Sequence, residues 1–334
     1  MADLFYIHTL RRLFFLCGLL IVLTNGTSVA AIKPFVQDGV RYVRLEELAS
    51  FYAGEMIPMP SGGVIIKNRY AELQFKPDSR ELRVANIMVW LHEPLIRVRG
   101  HWAIREGDAI NVVDPIMRPA EYLRQSGSRV VVLDPGHGGQ DTGAKGKRGV
   151  EEKRAVLDIA RRVRSHLTAA GISVYMTREG DRFVELEERA RMAKRWGADL
   201  FVSIHLNSAS STLAQGVESF VLAAPGFSST AGGSGSGTAP GHQHGPASSQ
   251  LGFQVHRAMI AIPGVVDRGL KRARFIVLRN APCPAVLVEC GFLSHAEEEK
   301  KFTQESYREE VARGIAKGIV NYVRLARQSQ RGTP

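Results

Sequence analysis

Beyond residue 125 the chain alternates between short apolar runs and helical periods. Val130-Val-Val-Leu133, the segment Asp199-Leu-Phe-Val-Ser-Ile204 and Ala285-Val-Leu-Val288 are nearly continuous in β-branched and other apolar residues and are bounded by turn formers. That is the pattern of strands buried on both faces of a parallel sheet. Val156, Ile159, Ala160, Val163 and Leu167 recur instead at helical spacing. The alternation predicts strands near 129–133, 172–176, 200–204, 216–222, 274–278 and 285–289, with helices near 152–170, 184–196, 249–261 and 304–326 covering them. The expected fold class is α/β, a mixed, mostly parallel sheet flanked by helices over residues 126–328. Residues 32–125 carry shorter runs, among them Arg41-Tyr-Val-Arg-Leu45, Gly63-Val-Ile-Ile66, Tyr70-Ala-Glu-Leu-Gln-Phe75 and Leu95-Ile-Arg-Val-Arg99, with a short helix expected over 46–53. They predict a smaller amino-terminal α+β domain. Residues 223–249 are rich in Gly, Ser, Ala and Pro, interrupt the rhythm and read as a flexible surface insertion.

The amino terminus sets the expected compartment. Arg11-Arg12 precedes the apolar run from Leu13 to Leu23, too short for a comfortable membrane span but suited to a signal peptide over residues 1–31, with small residues for cleavage after Ala30 or Ala31. The ordinary secretory route is favoured over a twin-arginine signal. Cys17 lies inside the apolar core without the small residue that lipidation requires before it. The protein is expected to be exported, periplasmic or associated with the cell envelope, touching membrane only through an uncleaved signal segment. Removal of the signal leaves Cys283 and Cys290, too few for a disulfide framework in so long a chain, so buried thiols are the default. The formal charge of +11 favours a polyanion. Export excludes nucleic acid and leaves an anionic wall or membrane.

Chemistry gathers where the runs end. A catalytic zinc site needs three imidazole or carboxylate ligands and an open position for water. His137 follows the first strand through Asp134-Pro-Gly136, Glu152 opens a helix, and His205 is delivered by a strand to the same sheet edge, where α/β sites are usually built. Each residue alone has a bland reading as turn, helix acid or strand end; their coincidence is harder to explain that way. Glu289 ends an apolar run where an unpaired carboxylate would be costly. It suits a general acid/base role, with a salt bridge to Arg274 or Arg279 as the structural alternative.

Leu133-Asp-Pro-Gly-His-Gly-Gly-Gln-Asp-Thr-Gly-Ala144, Glu152-Lys153, Ser203-Ile-His-Leu-Asn-Ser208, the Gly216-Val-Glu-Ser-Phe220 strand and Val286-Leu-Val-Glu-Cys-Gly-Phe-Leu-Ser294 together resemble the zinc-dependent N-acetylmuramoyl-L-alanine amidases of the Amidase_3 type, over residues 128–326. The resemblance implies one Zn2+ per catalytic domain held by His137, Glu152 and His205, and Glu289 as the catalytic glutamate. It implies peptidoglycan as substrate, cut between the lactyl group of N-acetylmuramic acid and the L-alanine of the stem peptide, with a protein activator as a candidate partner. His295 stands where the family usually has Asn; a surface loop role is favoured over a fourth ligand. Glu218 is expected to line the cleft. His242 and His244 read as a solvated pair, and the glycine and proline around them argue against the inhibitory helix that some relatives carry at this point. Through Tyr42-Val-Arg-Leu45 and His101-Trp-Ala-Ile104 the amino-terminal region loosely resembles the small α+β modules related to copper amine oxidase amino-terminal domains, with no copper site implied, and is expected to bind wall or position the enzyme, a packing domain with no ligand being the alternative. Two rival functions remain: a zinc peptidase of stem peptides, and a noncatalytic wall-binding protein.

Overall fold

The computed structural model describes residues 32–123, 129–230 and 237–331. The expected signal segment lies outside the described residues. The amino-terminal part begins with β1 (Phe35–Gln37), β2 (Val40–Arg44) and α1 (Leu45–Phe51). A meander follows, β3 (Glu55–Pro58), β4 (Val64–Lys67), β5 (Glu72–Phe75), β6 (Glu81–Val84) and β7 (Ile87–Trp90), and then β8 (Ile96–Val98) and β9 (His101–Arg105). Helical turns α2 (Glu106–Asp108), α3 (Asp114–Met117) and α4 (Pro119–Leu123) close this part. The remainder runs β10 (Val130–Pro135), α5 (Glu152–Ala169), β11 (Ser173–Met176), α6 (Leu186–Arg195), β12 (Leu200–Asn207) and β13 (Val217–Leu222). It ends with α7 (Gly245–Ile260), β14 (Asp267–Ala273), α8 (Ile276–Arg279), β15 (Ala285–Phe292), α9 (Ala296–Thr303) and α10 (Glu305–Gln330).

The large sheet has the order β11-β10-β12-β15-β13-β14-β7-β6-β5-β4-β3, and a separate four-stranded sheet has the order β1-β2-β9-β8. Strands β11, β10, β12 and β15 are parallel, while β13 runs antiparallel to β15. Sheet pairing crosses the sequence boundary near 125, because Val89 of β7 partners Leu270 of β14. His256, buried on α7, and the backbone N–H of Met88 both hold Asp267 beside that junction, at 2.9 Å each.

Period-two alternation decides what each strand offers to each face. Val131, Leu133, Val202, Ile204, Val286 and Val288 belong to one core with residues of α5, α7 and α10. Val132, Phe201, Ala285 and Leu287 belong to a second core with Ala193 of α6 and Val277 and Leu278 of α8. The strands are apolar on both sides because helices cover both. His205 and Glu289 share parity with Phe201 and Leu287, so they project toward the α6 and α8 side.

Two expected elements differ. Residues 274–278, read as a strand, contain the turn into α8; the strand is β14, just before it. Its sequence, Asp-Arg-Gly-Leu-Lys-Arg-Ala, hides the strand because two of its cations, Lys271 and Arg268, are neutralised by Glu218 of another segment. Helix α7 begins at Gly245, earlier than its expected start at 249. Pro246 fits its first turn, where a missing N–H costs nothing. Ser248 and Ser249 are buried because their hydroxyls are matched, Ser248 accepting from the N–H of Ala285 and Ser249 donating to the carbonyl of Asn111.

Candidate metal centre and cleft

Three elements deliver the metal-ligand candidates. β10 ends in a turn in which His137 adopts a left-handed backbone, φ 60°. α5 starts at Glu152, and β12 carries His205 near its carboxyl end. One ligand atom from each lies within 4.8 Å of the others, and the two imidazole centroids are 5.0 Å apart. His137 Nε2 is 3.1 Å and His205 Nδ1 2.9 Å from Glu152 Oε1. The backbone N–H of Leu206 donates to the same oxygen at 3.0 Å, and that of Ala144 to Oε2 at 2.8 Å. Burial opposes the charge on Glu152, but hydrogen bonds from His137 and His205 hold its carboxyl well below the usual range. His137 is likewise opposed by burial and raised by Glu152 and Asp141. Its Nδ1 meets Asp141 Oδ2 at 2.8 Å, leaving Nε2 toward the cluster. A carboxylate on the far imidazole nitrogen fixes ring and tautomer, the arrangement common around ligating histidines.

Two glycines give the ligands room. A Cβ on Gly136 would stand 2.2 Å from the His205 ring, and one on Gly143 2.5 Å from the Glu152 carboxylate. Beneath the turn, Arg178 and Arg189 are buried and hold its carbonyls. Arg178 donates to Pro135, Gly136 and Lys153, and Arg189 to Pro135 and His137. Arg189 also pairs with Asp134 at 2.7 Å, and Asp134 accepts from Thr177 and Ser203. Burial works against the Asp134 charge, yet Arg189 and these hydroxyls keep its carboxyl below the usual range. Such donors reach the turn from distant segments, so only Asp141, four residues from His137 within the same turn, carries a local sequence signal.

The cluster opens into a cleft of about 830 Å³ that Glu289 also lines. Glu289 is the register partner of His205 on one side and of Glu218 on the other. Its Oε2 is buried without a hydrogen-bond partner, and among the described residues it makes no ion pair, so the bridge to Arg274 or Arg279 does not form. Burial pushes its carboxyl well above the ordinary value, and the charges of Glu152 and Glu218 push the same way. Glu218 is buried rather than cleft-lining, tied to Arg268, Lys271 at 2.7 Å and Asn207 at 3.3 Å. His295 caps α9, its Nδ1 accepting the N–H of Glu298, and lies outside the ligand cluster. His242 bonds the backbone of Ala223 and Ala239. Cys283 and Cys290 are buried free thiols; burial pushes Cys283 up to about 12.

A donor set of two imidazoles and one buried carboxylate, sterically reserved by two glycines and adjoined by an orphaned carboxyl oxygen, fits a divalent transition metal. The comparisons point the same way. The Amidase_3 family model, described as N-acetylmuramoyl-L-alanine amidase, matches residues 131–321. The chain is 35% identical over 224 residues to N-acetylmuramoyl-L-alanine amidase AmiA of Escherichia coli, covering 60% of this chain and 78% of that one. The catalytic domain of CwlV, an N-acetylmuramoyl-L-alanine amidase from Bacillus (Paenibacillus) polymyxa, superposes with a TM-score of 0.51 at 35% identity, covering 59% of this chain and 99% of that one. The CwlD amidase from Clostridioides difficile, solved in complex with the GerS lipoprotein, gives 0.51 at 27% identity over 59% of this chain and 98% of its own.

Proposed function

From the premise that this chain belongs to the Amidase_3 family of N-acetylmuramoyl-L-alanine amidases, we propose that it hydrolyses the amide between N-acetylmuramic acid and L-alanine in peptidoglycan with one zinc ion. The observation that carries the mechanism is the convergence of His137, Glu152 and His205 beside a carboxyl, Glu289, that has no protein partner at Oε2. His137, Glu152 and His205 hold the zinc. When bound, it supplies Lewis acidity toward water and the scissile carbonyl.

The protein's own groups then move protons and hold geometry. Glu289 Oε2 accepts a proton from the water that adds to the lactyl carbonyl carbon. As the C–N bond breaks, the same oxygen returns that proton to the departing nitrogen of L-alanine, leaving a lactyl carboxyl group and a free amine. A carboxyl whose affinity for protons is raised by burial suits both halves of that exchange. Asp141 keeps the His137 ring in place, and the arginine-held turn keeps the backbone of His137 from relaxing.

Peptidoglycan as substrate places the work outside the cytoplasm, in keeping with an exported chain; among the described residues no helix is long and apolar enough to cross a membrane. The reading includes a protein partner, supported by the structural relative that forms a complex with a lipoprotein. It also gives residues 32–125 the part of a wall-binding or positioning region. Metal titration tests the central step: chelator-treated protein loses peptide release, zinc restores it, and Glu289→Gln binds zinc without restoring turnover. Undiminished release after complete metal removal would sink the proposal.

A further inference from the structure

One wall of the cleft is formed by the turn between β14 and α8, and Arg274 in that turn lines the cleft together with Glu289 and the metal-ligand candidates. Its guanidinium faces no protein carboxylate among the described residues. Nη1 and Nη2 reach only the carbonyls of Gly237 and Ala224, at 3.4 Å each, and Nε is buried with no partner. The other arginine lining the cleft, Arg189, is committed to Asp134. Arg274 therefore places a planar, charged group in the cleft wall with no carboxylate partner among the described residues, an arrangement suited to a carboxylate.

Its surroundings narrow the ligand. Among the groups lining the cleft, the carboxylates of Asp141, Glu152 and Glu185 repel an anion, which leaves the Arg274 end as its point of attachment. Its rim is apolar, with Phe275 and Phe183 each 38% exposed and Leu186 46% exposed. A ligand with small apolar side chains and a free carboxylate satisfies both. Resting on the amidase reading, we infer that Arg274 is a specificity-determining residue that binds a carboxylate of the stem peptide beyond its L-alanine. The glycan offers no such group once its lactyl carboxyl is in amide linkage, so the contact reads the peptide.

The guanidinium is held for this role from the amino-terminal part. Ala224, whose carbonyl it meets, is fixed through its own N–H to His92 Nε2 at 2.9 Å, and His92 Nδ1 is fixed to Asp108 at 2.7 Å. Both of those side chains are buried. A donor held in place before binding loses less freedom when the ligand arrives.

Three synthetic muramyl tripeptides test the assignment on the full chain: one with free carboxylates, one amidated at the second residue and one amidated at the third residue's side chain. For the wild type, kcat/KM falls roughly tenfold to a hundredfold on one of the amidated substrates, which identifies the carboxylate bound. Arg274→Gln shows that loss on the free substrate and no further loss on the amidated one, while Arg274→Lys falls between. Thermal melting of both variants separates recognition from misfolding. If Arg274→Gln, folded, keeps the wild-type ratios among the three substrates, the assignment is overturned. A wild type that releases no peptide from any of them overturns the amidase reading, and this inference with it.

Discussion

His205 and Glu289 are register partners on the parallel neighbours β12 and β15, so a metal-ligand candidate and an unpartnered carboxyl stand side by side on one sheet face. This adjacency yields the sharpest mutational expectation. Glu289→Gln keeps the shape of the side chain and removes its proton exchange, so kcat falls by about 10²- to 10⁴-fold. Because the carboxyl has no partner to lose at Oε2, the variant melts no lower than the parent. A Tm drop of several degrees would instead assign Glu289 a structural role.

Asp141 touches His137 and not the cluster centre. Asp141→Ala frees the ring and lowers zinc affinity by about 10- to 100-fold with little change in fold. Competition against a chromophoric chelator reads this directly. Unchanged affinity would leave Asp141 as a turn residue serving the N–H of Gly143.

Gly136 approaches a ligand ring more closely than Gly143 approaches the Glu152 carboxylate. Its substitution by alanine drives a methyl into the His205 ring, which must move for the chain to fold. Gly136→Ala should lose zinc in dialysis under conditions where Gly180→Ala, with nothing within 4 Å of its added carbon, retains it. Equal retention by both would remove the steric argument.

The Asp134–Arg189 pair ties the turn to α6 and predicts an acid limb in stability. The carboxyl of Asp134 titrates lower folded than unfolded, so its contribution is complete above the unfolded value of about 3.9 and is lost as pH falls through the folded value. Urea midpoints measured between neutral pH and pH 2 should drop across that window, and less steeply for Asp134→Asn. Asp134→Ala, which strands the buried Arg189, costs about 3–5 kcal/mol at neutral pH. A parallel acid limb in the Asn variant would assign the effect to other carboxylates.

The ligand set is legible in the sequence because strand ends announce themselves: continuous apolar runs place His205 and Glu289 at one edge, and Glu152 opens a helix whose apolar spacing is clear. What is hidden depends on partners far along the chain. β14 looks like a charged loop until Glu218 and α7 neutralise its polar groups. Arg178 and Arg189 resemble surface arginines, since nothing near them in sequence shows which carbonyls they will hold. The joining of β7 to β14 rests on one register pair between segments about 180 residues apart, a distance at which local pattern carries no signal. Arg274 was legible only as a candidate partner for Glu289; its place in the cleft wall follows from the turn that replaces the expected strand.

Mass spectrometry of purified peptidoglycan digested with the mature protein, beside a zinc-stripped control, shows which bond is cut and whether the metal is needed. Intact stem peptides beginning at L-alanine, together with peptide-free glycan, are expected only in the metal-loaded digest. Cuts within the stem peptide, or the same products from the stripped protein, would contradict it.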